Sequence, residues 1–353
     1  MMNLCAARRR YAVPLFVLAC VASACATTWR LRTSHPDIVL QWPYQPNRAK
    51  VTYAQAFTGL ARNADSGSLL RQVIFGEDED RNAFMLPVAV ATAHDGRIAV
   101  ADMGRRCVHL YVPAEQRYVQ LSGTKQDKIA SPVGVIFDDE DRLYVSDSTG
   151  KVFAFGPDGG LLFTLLTAGA DRLQRPTGIT YSPRKKALYI VDTLANKVDV
   201  FGTNGNFAFS FGERGDGEGR FNFPTHIFRS SAAELYVTDA LNFRVQIFDE
   251  EGNPLGSFGH HGDGSGDMAM PKGLAVDRDG VVYVVDGLFD NVQLFNRRGD
   301  FLLTIGKRGT DFGEFWLPSA AFISDNDELY VCDTYNRRVQ VFRITEGYVN
   351  GTS

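Results

Sequence analysis

Apolar and polar positions alternate with period two in six short runs: RIAVAD, RLYVSD, ALYIVD, ELYVTD, VVYVVD and ELYVCD. Each run ends on an aspartate. Alternation of this kind, rich in Tyr, Val and Ile, predicts strands; a helix would repeat its apolar positions every three to four residues. The aspartates are Asp102, Asp147, Asp192, Asp239, Asp286 and Asp333, spaced by 45, 45, 47, 47 and 47 residues. A second marker keeps the same period. Pro87, Pro132, Pro176, Pro224, Pro271 and Pro318 open the units, spaced by 45, 44, 48, 47 and 47 residues.

Every unit carries four strand signals. One follows the proline (PKGLAVD), the second is the run that ends in Asp, the third resembles RVQIF or NVQLF, and the fourth resembles GDFLLTIG. Gly-rich joints such as GERGDGEGRFNFP lead to the next proline. Four antiparallel strands recurring every 40–50 residues or so predict an all-β fold, a six-bladed β-propeller with four-stranded blades. The last unit stops at Phe342, after its third strand, while residues 49–59 (AKVTYAQAFTG) read as an orphan strand near the other end of the chain. Pairing the two would close the ring and cover a raw sheet edge. The expected layout is an export signal over residues 1–24, a tether over 25–48, a propeller over 49–343 with its repeats from about residue 86, and a tail over 344–353.

The pattern P-x-G-[IL]-A-V, then L-Y-V-x-D, then N-x-R-V-Q-V-F is similar to the NHL-repeat family over roughly residues 86–343. It is clearest at Asp239, Asn242 and Arg244 and at Asp333, Asn336 and Arg338. The first unit departs from it, with Cys107 and His109 in the third strand, and the second is one residue shorter after Asp147. The resemblance implies the fold. It does not imply an activity, since propellers host unrelated functions. The family includes an α-amidating lyase whose propeller uses histidines. Here only His226 lies just behind a blade-opening proline, and the matching positions are Ala89, Gly134, Gly178, Gly273 and Ala320.

Charge and cysteines bear on location. Net charge is −4, with no clustered basic surface of the kind a nucleic-acid partner needs. Arg8, Arg9 and Arg10 precede a 14-residue apolar stretch over residues 11–24. That is too short to cross a membrane and reads as an export signal. Ala22, Ser23 and Ala24 before Cys25 resemble a bacterial lipobox, and Val17, Leu18 and Ala19 before Cys20 form a second candidate. Acyl chains on the thiol and the freed amine would anchor the chain stably to a bacterial membrane. With Ala26 after the cysteine, resemblance to enterobacterial sorting favours the outer membrane, facing periplasm or exterior. Simple cleavage to a free secreted protein and an uncleaved anchor are the other readings. Cys107 and Cys332 then remain in the mature domain; Cys332 reads as a small core residue, and a disulfide between the two, in neighbouring blades of a closed ring, is the other reading.

One aspartate per blade reads as a structural acceptor for turn N–H groups, since a catalyst is not needed six times. The first strand of each blade should line the channel. The rim beside the prolines is then the candidate binding face: Thr177, Thr225, His226 and Lys272, with Arg105, Arg106, Phe243, Phe289, Tyr335 and Arg337 from the loops after each Asp. No G-x-S-x-G elbow, cofactor motif or converging metal ligands stand out. The expected role is a binding or scaffold propeller for a protein, peptide or glycan partner. The alternatives are a metal-assisted lyase or hydrolase working in the central channel and an accessory or sensor subunit of an envelope complex.

Overall fold

A computed structural model describes residues 27–63 and 82–345. Cys20, Cys25, the export signal and the tail beyond residue 345 lie outside them. The described residues form a six-bladed β-propeller. Blades 1 to 5 are four-stranded antiparallel sheets taken in chain order, spanning 87–121, 132–165, 176–211, 224–258 and 271–305. Blade 6 takes three strands from the C-terminal repeat, Ala320–Ile323, Glu328–Asp333 and Arg338–Ile344. Its fourth is the closing strand Val51–Arg62, in register Val339↔Phe57 to Ile344↔Val51.

Closure therefore runs as the orphan strand predicts. What the tether reading of 25–48 misses is that Trp29–Ser34 forms a fifth strand on the far edge of the closing strand, and Gln41–Trp42 a short sixth. Trp29 and Leu31 alternate inward on this edge and pack against the core between blades 6 and 1. The segment lies outside the repeat, and its alternation, Trp29 and Leu31 against Arg30 and Arg32, covers only four residues.

In every blade the first strand is innermost, and the proline pairs with or lies beside the Asp that ends the second strand. Prolines, aspartates and the loops after them thus share one end of the ring, here called the proline end. The hairpins between first and second strands form the opposite, turn end. The shorter second unit shows as a three-residue loop: Asp147 pairs with Lys151, whereas Asp239 pairs with Arg244.

All six aspartates are fully buried. Each accepts from main-chain N–H groups of the joint before its own blade: Met85 and Leu86 for Asp102, Ala130 and Ser131 for Asp147, Gln174 and Arg175 for Asp192. Asn222 serves Asp239, Ala269 and Met270 serve Asp286, and Trp316 serves Asp333. The carboxylate satisfies joint amides that the sheet leaves unpaired. Each blade then packs its apolar face on the next, as where Phe248 meets Phe211 and Phe221 at ring distances of 5.1 and 5.5 Å.

Candidate functional site

The central channel is closed near the proline end. The second residue after each proline forms one layer: Ala89, Gly134, Gly178, His226, Gly273 and Ala320. Five of the six are Gly or Ala because neighbouring backbones approach too closely for more. A Cβ on Gly178 would lie 2.5 Å from the Cα of His226, and one on Gly273 2.4 Å from the Cα of Ala320. The space left here is about 20 Å³, room for one water. Hydroxyls stitch the blades at this end: Thr193 donates to the Pro224 carbonyl (2.7 Å) and Thr334 to that of Pro87 (2.9 Å).

His226 is the imidazole in that layer. Its Nδ1 accepts the Leu274 N–H at 3.3 Å, which leaves the ring proton on Nε2. Burial pushes its pKa down to about 4, so the ring is neutral across physiological pH. Among the described residues no three His, Cys, Asp or Glu side chains converge to hold a metal ion.

The other residues expected at the rim do share the proline end. Arg106, Tyr335 and Arg337 are exposed, and Arg105 donates through Nε to the Ala83 carbonyl. Phe243 is half-buried against the His261 ring (4.3 Å) and the core between blades 4 and 5. Phe289 is half-buried as well. Thr177 Oγ1 lies 2.8 Å from Thr193 Oγ1, Thr225 Oγ1 is buried without a partner, and burial lowers the Lys272 pKa. These side chains surround the outer side of the neck.

The open cavity lies at the turn end. It measures about 360 Å³, within the range of small-ligand or loop-tip sites. Its floor is the fourth residue after the prolines, where Ile136, Phe228 and Phe322 reach into the axis; Phe228 and Phe322 meet edge to face at 6.4 Å. The wall adds Tyr181, whose hydroxyl donates to Asp139 Oδ1 (2.5 Å). Ion pairs tie neighbouring blades around the mouth, Lys186 to Asp139 and Arg278 to Asp327, and the His94 ring meets the Asp325 carboxylate. Arg229 pairs with Glu250 at 2.6 Å, and Ser182 and Arg184 of blade 3 donate to the same carboxylate. The sequence signal for this mouth was partial: four positions after the prolines stand the bulky Ile136, Phe228 and Phe322, but also Ala91, Thr180 and Ala275.

Asp277 is a carboxylate on the wall of this mouth whose titration burial shifts. Its Oδ1 accepts the Asp279 and Val281 N–H groups and its Oδ2 the Tyr283 hydroxyl, so the carboxylate holds its hairpin and has no oxygen free for catalysis. Burial pushes its pKa up to about 6. A folded-state pKa above the unfolded value means that the ionised form is penalised: the penalty is absent below about pH 4 and grows as the pH rises through about 6. Asp277→Asn keeps an acceptor for the amides and removes the charge. It is expected to stabilise the fold by up to about 3 kcal/mol at pH 8 and by nothing at pH 4, read as urea midpoints at the two pH values. His226 contributes the opposite slope, its stabilisation fading as the pH falls from about 6.5 towards 4.

No family model and no curated protein matches the chain. Solved structures do. A virginiamycin B lyase from Staphylococcus aureus is 13% identical, with 74% of this chain and 86% of that one covered and a TM-score of 0.55. A gluconolactonase from Xanthomonas campestris is 16% identical over 74% and 87%, with a TM-score of 0.57. A hydrazine synthase from Kuenenia stuttgartiensis is 12% identical over 76% and 97%, with a TM-score of 0.52. At these identities the likeness is one of fold. The chain is a six-bladed β-propeller whose structural neighbours include propellers of the lyase and gluconolactonase type.

Proposed function

We propose that this chain is an NHL-type binding propeller of the bacterial cell envelope, lipid-anchored through Cys25 or Cys20, which takes a protein, peptide or glycan partner at its turn end. The observation that carries the reading is the 360 Å³ mouth with an apolar floor, set against a neck with room for one water. A loop tip or sugar ring entering that mouth covers Phe228 and Phe322 and meets polar groups held in fixed geometry by inter-blade ion pairs. That combination of apolar floor and few oriented polar groups is what a binding pocket requires. The repeat motif supports the NHL assignment, and the same surface would suit an accessory subunit of a larger envelope complex. For a lyase or hydrolase working inside the channel, the neck offers one imidazole, His226, whose Nδ1 is already engaged.

The test is crosslinked capture from envelope fractions. Ser231, exposed on the wall of the mouth, is replaced by arginine, and Tyr335, exposed at the proline end, by alanine. Ser231→Arg is expected to cut partner recovery at least about ten-fold, the equivalent of roughly 1.4 kcal/mol, with Tyr335→Ala near wild type. Loss with Tyr335→Ala alone returns the site to the proline end, and no partner above background with the unaltered chain refutes the binding role.

A further inference from the structure

Charge is unevenly spread along the chain. Residues 27–63 carry Arg30, Arg32, Arg48, Lys50 and Arg62 against one acid, Asp37, so this stretch is net +4 in a chain that is net −4. Structurally it is the outer wall of blade 6, because Trp29–Ser34 and Gln41–Trp42 both pair with the outer edge of the closing strand. Arg30, Arg48 and Arg62 are exposed on it. The Arg62 guanidinium lies 5.2 Å from the centroid of the Trp29 ring, which packs edge-on against Tyr118 of blade 1 at 4.9 Å. Between the two strands and just beyond them stand Ile38, Val39 and Tyr44. They are 69%, 73% and 63% exposed, the most exposed large apolar side chains among the described residues.

Distance links this wall to the anchor. Cys25 precedes Trp29 by four residues, at most about 14 Å of extended chain. Trp29 is fixed to the body: its N–H donates to the Gln116 carbonyl (2.7 Å), and its carbonyl accepts from the Tyr111 hydroxyl (3.2 Å). Acyl chains on Cys25 would therefore bring the bilayer within about 14 Å of this wall. Apolar side chains that can enter the headgroup layer, beside arginines that meet lipid phosphates, supply the second signal that makes an anchor firm.

We infer that the outer wall of blade 6 lies on an anionic lipid bilayer, with the ring axis along the membrane plane and both ends of the ring facing sideways. The inference rests on the lipid-anchor reading. In this arrangement the turn-end mouth sits beside the bilayer, within reach of partners standing on the same membrane.

The full lipidated chain is reconstituted into phosphatidylglycerol-containing vesicles with doxyl-labelled lipid. A fluorophore is placed on a cysteine at Val39 on the wall, at Ser231 in the mouth or at Leu241 at the proline end, all exposed positions. The Val39 label is expected to be quenched several-fold more than the other two. Arg30→Glu with Arg48→Glu is expected to weaken that seating about five-fold per arginine, returning the Val39 label towards baseline while the vesicles still float the protein. Flotation with equal quenching at all three positions overturns the docking and leaves the anchor standing. Failure to float overturns the anchor and the docking together. A Val39 label already shielded without vesicles, by a second copy or by residues 64–81, overturns the lipid assignment.

Discussion

Asp333→Ala is expected to lower stability by about 3–5 kcal/mol, and Tm by on the order of 10 °C for a domain of this size. Asp333 Oδ2 meets Arg338 Nε at 2.7 Å, and the Arg338 side chain is only 10% exposed. The same oxygen accepts from Gln340 (3.0 Å) and Asn336 (2.9 Å). Those three donors then reach the preceding joint: Arg338 to the Asp311 and Glu314 carbonyls, Gln340 to Glu314, and Asn336 to Gly309. Alanine leaves a buried guanidinium without its carboxylate, with two of its three hydrogen bonds, and strands the Trp316 N–H. Two comparisons make the claim sharp. Asp147→Ala, in the blade whose Lys151 turns away to Asp127, removes no buried cation partner and is expected to cost about 1–3 kcal/mol. The double variant Asp333→Ala with Arg338→Met is expected to recover much of the loss, since breaking a buried pair costs more than replacing both members by apolar groups. Thermal and urea unfolding of the four proteins decide it. A loss under 1 kcal/mol for Asp333→Ala would reduce the network to decoration.

That contrast bears on what a reader of the sequence can see. The Asp–Asn–Arg spacing is visible in units four and six because one hydrogen-bond network demands those residues at fixed offsets, and the offsets survive as a motif. Blade count and the closing strand were legible for the same reason: period and orphan strand are properties of the chain taken in order. The joint amides as donors to the aspartates were not, since they lie some seventeen residues before each Asp and contribute only main chain. Nor was the end of the ring that opens. Whether six inner strands leave a neck or a mouth depends on their radial approach, and the proline end, with its arginines and aromatics, looks the busier surface in sequence. The small residues at Gly178 and Gly273 read as gaps in a ligand set. In space they are where the backbones close the neck, and Phe228 and Phe322, two residues beyond His226 and Ala320 of the same layer, floor the cavity instead.

Removing the closing strand is expected to have a larger effect than any single replacement. Without Val51–Arg62 the strand Arg338–Ile344 becomes a bare edge, and Val339, Val341 and Phe342, all fully buried, lose their cover. Phe342 alone packs against Tyr53, Trp42 and Phe315, with ring centroids 5.2, 5.6 and 6.0 Å away. Phe342→Ala by itself is expected to cost about 3–5 kcal/mol through lost contact and residual cavity. A chain lacking residues 27–63 also loses the register that joins its two ends. The remaining edge is long, apolar and free to pair with another copy. Gel filtration is therefore expected to give aggregate in place of monomer, where Phe342→Ala still runs as a destabilised monomer. The physical root is topological: every other blade is finished by residues local to it, whereas blade 6 waits for a strand some 290 residues away in sequence. That non-local pairing carries the loop-closure entropy of the whole chain, and the circle depends on it. A truncated chain that stays monomeric and melts cooperatively near the parent would show that five blades hold the ring unaided, and the account of closure would have to be rebuilt around the contacts between first strands.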